Sequence, residues 1–286
     1  MTKRIRLAAI VVTCLSFADL GQTQVKSFEI LNPSVEQGGV VVIRVNPQWQ
    51  GPTVCISAFK GQYVPNKYGY AFIGVPLNIQ RGNYRASLVE CGRGLLIVRD
   101  LGEFKVSVGK FPKTRTGGMS GKSSRPRKIS ELRAIESAFS KTNQSQSDFT
   151  NGLKYSDPLS RRDVIDPYGR IYLNSRLGHL GIDFRVPVGT SVGSVNRGEV
   201  VLVAEDYSKE GNMIIINHGL GIFSVYMHLS KINVKEKEVV ERGQIIGLSG
   251  ETGAGVREPH LHLNIKTYKD YIDPPKFIDT VNLYLQ

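Results

Sequence analysis

The sequence predicts a mainly β protein in two parts. An N-terminal immunoglobulin-like β-sandwich-type domain is followed by a short helical linker and a C-terminal antiparallel β-sheet domain. Three observations carry this expectation. Short runs rich in β-branched and aromatic residues recur through both halves, cut by Gly, Pro and Asn turn signals. The 286 residues include 30 glycines and few long stretches of helical periodicity. Apolar residues make up 41% and aromatics 8% of the chain, enough for packed cores and against global disorder.

The first 18 residues have the form of an export signal. "TKRIR" is a basic start, and "LAAIVVTCLSF" is an apolar run of 11 residues, too short to span a bilayer. Ser16 and Ala18 form a small-x-small cleavage site, which places the mature start near Asp19. A lipoprotein signal acylated at Cys14 is the alternative, but "VVT" before that cysteine fits such signals poorly. The expected product is an exported monomer of the periplasm or cell envelope with no transmembrane segment. Export leaves Cys55 and Cys91 as an even pair in an oxidising compartment, either a disulfide or two buried thiols.

Residues 19–112 are the expected accessory domain. "GGVVVIRV", "TVCISAF", "YGYAFIGVPLNI", "YRASLVE" and "LGEFKVSVG" supply its strands, although the pattern does not fix their topology. Residues 113–150 combine a basic linker, "KTRTGGMSGKSSRPRK", with a short amphipathic helix from Ile129. Leu132, Ile135 and Phe139 have helical spacing there, and Ser130 is the candidate cap. This helix is expected to pack between the two halves.

Residues 105–128 hold eight Lys and Arg and no acid, whereas residues 151–286 hold 16 basic and 16 acidic residues. Without Lys3, Arg4 and Arg6 of the first 18 residues, the net charge of +12 falls to +9, and this basic excess sits in one segment, without aromatic platforms. That distribution argues against nucleic acid as a partner. It fits a solvated hinge or a tether to an anionic envelope surface.

The candidate chemistry lies in residues 151–286. "HLHLNI" alternates so that His260, His262 and Asn264 share one strand face while Leu261, Leu263 and Ile265 share the other. In "HLGIDF" His179, Gly181 and Asp183 share a parity, and in "IFSVYMHL" Ser224, Tyr226 and His228 do. Four of the five histidines and one Asp thus fall on expected polar faces. His218 shares parity with Ile214 and Ile216 and reads as structural. Two histidines and a carboxylate are an ordinary ligand set for a catalytic zinc ion with one open position. Strand spacing alone leaves the assignment open. Residues i and i+2 lie ~6.6 Å apart, so both His260 and His262 could reach one ion. His179 and Asp183 would be ~13 Å apart if fully extended, unless the chain bends at Gly181.

Five motifs, "DPYGRIY", "GHLGIDFRVPVGTSV", "GEVVLVAEDYSKEGNMIIINHGLGIFSVYMHLS", "VVERGQIIGLSGETG" and "PHLHL", resemble in order the lysostaphin/LytM-type zinc metallopeptidases. The resemblance covers about residues 165–275. It implies a duplicated-hybrid-motif peptidase domain that hydrolyses peptide bonds of bacterial peptidoglycan. It also implies one Zn2+ per chain held by His179, Asp183 and His262, with His260 and His228 as catalytic residues beside the metal. Such a site uses an activated water as nucleophile and histidines for proton transfer and charge stabilisation. The sequence departs from the family at "TGAGVREPHLHLN", one residue longer than usual, with Glu258 before Pro259 and Asn264 where Glu is common.

Two other classes compete. Some members of the family have lost metal ligands and act as activators of other wall hydrolases, but every ligand position is filled here. A biotinyl- or lipoyl-type carrier would need a modifiable Lys at a hairpin tip, where this chain has Met227 and His228.

Overall fold

The computed structural model describes residues 28–46, 54–92, 97–114, 126–142, 148–172 and 178–285. The expected export signal, Cys14 and most of the basic linker lie outside these residues. Among the described residues, no helix is long and apolar enough to cross a membrane.

The N-terminal part is built from β1 (Phe28–Ile30), β2 (Ser34–Glu36), β3 (Val40–Val45), β4 (Val54–Ala58), β5 (Gly61–Tyr63), β6 (Tyr70–Gly74), β7 (Gly82–Glu90) and β8 (Ile97–Ser107). They form a three-stranded sheet, β1-β3-β6, and a five-stranded sheet, β2-β8-β7-β4-β5. Val41, Ile43 and Ile73 from the first meet Ile56, Leu88 and Phe104 from the second in one core. Cys55 and Cys91 are joined in a disulfide, which settles the alternative that their even number left open.

Strand β3 is buried on both faces. Val41 and Ile43 point into the N-terminal core, while Val40 and Val42 join a second core with Phe72, Phe277 and Ile278. The unbroken run "VVVI" is what such a doubly covered strand requires. The two halves therefore meet through an apolar seam. Its closeness shows at Gly74, where a Cβ would lie 1.9 Å from Thr267 Oγ1 and 2.9 Å from Ile272 Cγ2.

A two-residue strand, β9 (Lys113–Thr114), continues the chain. Helix α1 spans Ile129–Thr142. Ser130 lies inside it rather than capping it. Instead the Glu131 carboxylate reaches back to accept the Lys128 backbone N–H at 3.1 Å, half of a capping box. Phe139 and Ala138 pack on Met213, Phe223 and Val225 of the C-terminal sheet. The helix lies on that sheet, not between the halves, because the apolar partners of Ala138 and Phe139 are there.

The C-terminal part contains β10 (Val164–Asp166), β11 (Ile171–Tyr172), β12 (Ile182–Arg185), β13 (Ser191–Gly193), β14 (Gly198–Tyr207), β15 (Gly211–Gly219) and β16 (Ile222–Leu229). It continues with β17 (Lys231–Ile232), β18 (Val239–Val240), β19 (Ile245–Leu248), β20 (His260–Thr267), β21 (Asp270–Ile272) and α2 (Pro274–Val281). Its main sheet runs β10-β12-β20-β16-β15-β14-β18, with β21 added to β20. A smaller sheet, β13-β19-β17, packs beside it, and β11 pairs in parallel with β9. One face of the main sheet buries Ile182, Phe184, Ile214, Tyr226, Leu261 and Leu263. The opposite face carries α1 and, next to it, an open groove.

Within the buried face a polar chain is fully paired. The Val195 N–H donates to Tyr226 Oη at 2.8 Å, and Tyr226 Oη lies 3.1 Å from Ser224 Oγ. Ser224 Oγ is 2.8 Å from His218 Nε2, and His218 Nδ1 is 2.9 Å from the Arg197 carbonyl. The chain is satisfied in one direction by Tyr226 donating to Ser224, Ser224 to a neutral His218, and His218 to Arg197. Burial lowers the His218 pKa to about 4.

Gly74→Ala is expected to cost about 1–3 kcal/mol by overpacking the seam, measured as a loss of thermal stability in a single transition shared by both halves. His218 gives a pH prediction of definite sign. An unfolded histidine protonates near pH 6.5, before the folded one does. Stability should thus be full above about pH 6.5 and fall by about 3 kcal/mol toward pH 4. Denaturant titrations at the two pH values check this, and His218→Gln should lack that share of the slope.

Candidate active site

The pairing of β12 with β20 sets the site. Asp183 lies opposite His262 and Arg185 opposite His260. Because Ile182, Phe184, Leu261 and Leu263 enter the core, Asp183, His260 and His262 must point to the groove. His179 precedes β12, on the approach to the strand. Its Nε2 comes within 3.4 Å of Asp183 Oδ1 and 3.2 Å of His262 Nδ1. His262 Nδ1 is 2.7 Å from Asp183 Oδ1. The fully extended spacing of His179 from Asp183 is therefore not adopted.

Gly181 makes this approach feasible through space rather than through unusual dihedrals. A Cβ there would lie 2.4 Å from Asn264 Nδ2 and 2.6 Å from His262 Nε2. Asn264, at the position where Glu is common in the family, is buried and donates to the Leu180 carbonyl at 2.9 Å. It ties the His179–Asp183 segment to β20.

His228 reaches the groove by a route that strand parity does not predict. Ser224 and Tyr226, its expected face partners, are fully buried on the opposite side. Met227 is the residue opposite His262. A register shift between β15 and β16 falls at this end, and His228 has φ 64°. This irregularity turns His228 onto the groove face. Its N–H donates to the Glu210 carbonyl at 3.0 Å. Its ring lies 4.8 Å from that of His260 and 6.0 Å from that of His262.

Backbone carbonyls orient three of the four histidines. His179 Nδ1 lies 3.2 Å from Pro167 O, His228 Nδ1 2.9 Å from Thr252 O, and His260 Nδ1 2.8 Å from Glu258 O. With Nδ1–H donating in each case, Nε2 is left as the acceptor in the neutral ring. Glu258 therefore acts on the site through its main chain, while its carboxylate meets Arg185 Nε at 3.3 Å on the exposed rim.

The charges follow from burial and proximity. Burial pushes the Asp183 carboxyl up, but hydrogen bonds and charge from His179 and His262 outweigh it and hold it well below the usual range. Burial pulls His179 down, and Asp183 more than reverses this. Burial, with the neighbouring His262 and His260, lowers His228 to about 3, so its imidazole is neutral at physiological pH.

Asp166, within the "DPYGRIY" motif, completes the surroundings. It contacts the Tyr172 hydroxyl, pairs with Arg170 Nε at 3.0 Å and lies 3.7 Å from His179 Nδ1. The position of this motif before "GHLGIDF" hinted at a role, but no spacing rule singles out the Asp. Helix α1 was likewise not legible as part of the site. Leu132, Ile135 and Phe139 line a groove of about 730 Å³ that contains all four site histidines and Asp183.

His179 Nε2, Asp183 Oδ1 and His262 Nδ1 form a three-donor cluster suited to a metal ion. Bonds of ~2.0–2.1 Å in tetrahedral geometry place donors ~3.3 Å apart. Two of the three separations already match, and the third is shorter because His262 is hydrogen-bonded to Asp183. A two-histidine, one-carboxylate cluster on the open face of an antiparallel sheet is the donor set of a candidate metal centre with an open position.

The comparisons specify it further. Residues 177–274 match the model of peptidase family M23, and this part of the chain is an M23 peptidase domain. Peptidoglycan DD-endopeptidase ShyA of Vibrio cholerae is 46% identical over 87 residues, which cover 30% of this chain and 20% of ShyA. Cell division protein DipM of Caulobacter vibrioides is 36% identical over 124 residues, covering 42% of this chain and 20% of DipM. The chain thus spans about a fifth of the length of these relatives. A crystal structure of an M23 peptidase from Pseudomonas aeruginosa shares the fold, with a TM-score of 0.56 and 24% identity. That match covers 87% of this chain and 96% of the other.

Gly181→Ala tests the packing of the cluster. It is expected to weaken metal binding about tenfold or more with the far-ultraviolet circular dichroism unchanged, measured by competition with a chromophoric chelator.

Proposed function

We propose that the protein is a zinc-dependent endopeptidase that cuts peptide crosslinks or stem peptides of bacterial peptidoglycan. The observation that carries this reading is the convergence of His179, Asp183 and His262 on one point, with His228 and His260 beside it. His179 Nε2, Asp183 Oδ1 and His262 Nδ1 would hold the ion. Bound there, zinc would supply Lewis-acid polarisation and a water of lowered pKa.

The chain's own residues would do the rest. His228 and His260 have Nδ1 committed to carbonyls, so each presents Nε2 to the groove. A neutral imidazole in that orientation can take a proton from water at Nε2 and return it to a leaving amine. Once protonated, the same Nε2–H can stabilise negative charge on the carbonyl oxygen. The Pro167 carbonyl holds the His179 ring in place, with the Asp166 carboxylate beside it. The groove walls from α1 and the main sheet would align an extended peptide over these groups.

The setting belongs to the same proposal. The chain is exported as a monomer to the periplasm or envelope, and its basic segment at 105–128 offers a tether to anionic surfaces. The N-terminal part is an immunoglobulin-type accessory domain. The parallel pairing of short β2 with last strand β8, beside the antiparallel β1–β3 pair, supports that classification.

Mass spectrometry of purified peptidoglycan digested by the zinc-loaded protein tests the activity. New peptide termini are expected, with at least a ~100-fold loss in His262→Ala. Identical digests from the two proteins would overturn the peptidase reading in favour of a non-hydrolytic activator.

A further inference from the structure

The hairpin tip between β14 and β15 is held from two sides. On one side it meets the start of α1. Ser208 donates its N–H and its hydroxyl to Glu131 at 3.2 and 3.0 Å, and the Glu210 carboxylate pairs with Arg127. On the other side it meets the site. The Glu210 carbonyl accepts the His228 N–H at 3.0 Å, and the Ser208 carbonyl accepts the Ala254 N–H at 3.0 Å. Gly211 is pressed against Thr252, since a Cβ there would lie 2.4 Å from the Thr252 carbonyl carbon. The Thr252 carbonyl oxygen is the group that orients the His228 ring.

This arrangement turns on Glu210. Its side chain is 3% exposed, against 34% for that of Arg127. Glu210 Oε2 has no hydrogen-bond partner among the described residues, so Arg127 carries the compensation of a buried charge. Removing one partner of a buried pair strands the other, which is far more disruptive than losing an exposed pair. A stranded carboxylate turns toward water and takes its own backbone with it. His228 is sensitive to that movement. Its φ of 64° is a conformation that a residue with a side chain keeps only where its surroundings enforce it. The bond from its N–H to the Glu210 carbonyl is one of those enforcing contacts.

We propose that Arg127 is a positioning residue for His228. It neutralises Glu210 and so keeps the Glu210 carbonyl where it fixes the backbone of that histidine. The last arginine of the basic segment 105–128 thereby sets the geometry of proton transfer without touching the reacting atoms. This inference rests on the peptidase reading above for the role of His228, but not for the coupling of Arg127 to its backbone.

The test compares full-length, zinc-loaded protein with Arg127→Gln, Glu210→Gln and the double variant. Two quantities are measured: kcat and KM on soluble crosslinked peptides released from purified peptidoglycan, and hydrogen exchange at the His228 amide. Arg127→Gln should lower kcat about tenfold with KM within about twofold, and should speed His228 exchange about tenfold. Glu210→Gln removes the charge that needs Arg127 and should stay within about threefold of the unaltered protein in both quantities. The double variant should match Glu210→Gln alone. If Arg127→Gln does not fold, this last comparison carries the test, and a lower kcat or faster exchange in the double variant overturns the proposal. A raised KM at unchanged kcat would make Arg127 a substrate contact and overturn it as well. So would unchanged His228 exchange in Arg127→Gln. Absence of hydrolysis by the unaltered protein would overturn the peptidase reading instead, and the exchange pattern across the variants would then decide the coupling by itself.

Discussion

The register between β12 and β20 is the constraint on which the rest depends. Asp183 faces His262 across that pair, and each is flanked by residues that the core requires. A slip of one residue would turn His260 and His262 into the core and bring Leu261 and Leu263 into the groove. The burial of Ile182, Phe184, Leu261 and Leu263 therefore fixes the donor geometry as firmly as any contact within the site. Fold stability and site geometry are set here by the same side chains.

Around this pair, the other groups are positioned from outside the two strands. Asn264 holds the Leu180 carbonyl, the Glu210 carbonyl holds the His228 N–H, and Thr252 and Glu258 orient two rings through their carbonyls. Helix α1 is anchored on the same scaffold. Its buried Glu131 accepts from Ser208 N and Oγ at 3.2 and 3.0 Å, and the preceding Arg127 pairs with buried Glu210. Residue 210 thus links the segment that enters the groove wall to the backbone of a site histidine.

Much of this was legible in the sequence, and what was not has physical causes. Alternation placed His260, His262 and Asp183 on groove faces because β12 and β20 are regular there. The same rule assigned His228 the wrong companions, since a backbone irregularity reverses the strand's parity at its end and alternation carries no sign of it. Gly181 stood out as a glycine between two candidate ligands, yet its function is to make room for His262 rather than to bend the chain. The run "VVVI" held information beyond β propensity, because a strand with no polar face must be covered twice. Asp166 and α1 act through tertiary proximity, which has no local signature. Both lie within or near recognisable segments, but only folding brings them to the histidines.

The two-sided burial of β3 also bears on how such a chain can be recombined. Its outer valines complete the core that α2 closes, so the segment with the chemistry is not bounded by water on that side. Transplanting residues 177–274 into another protein would carry the donors but expose a surface shaped for Val40, Val42 and Phe72. An apolar face left open in this way invites aggregation. The accessory and catalytic parts are therefore expected to be inherited together, with sequence drift on one side of the seam matched on the other.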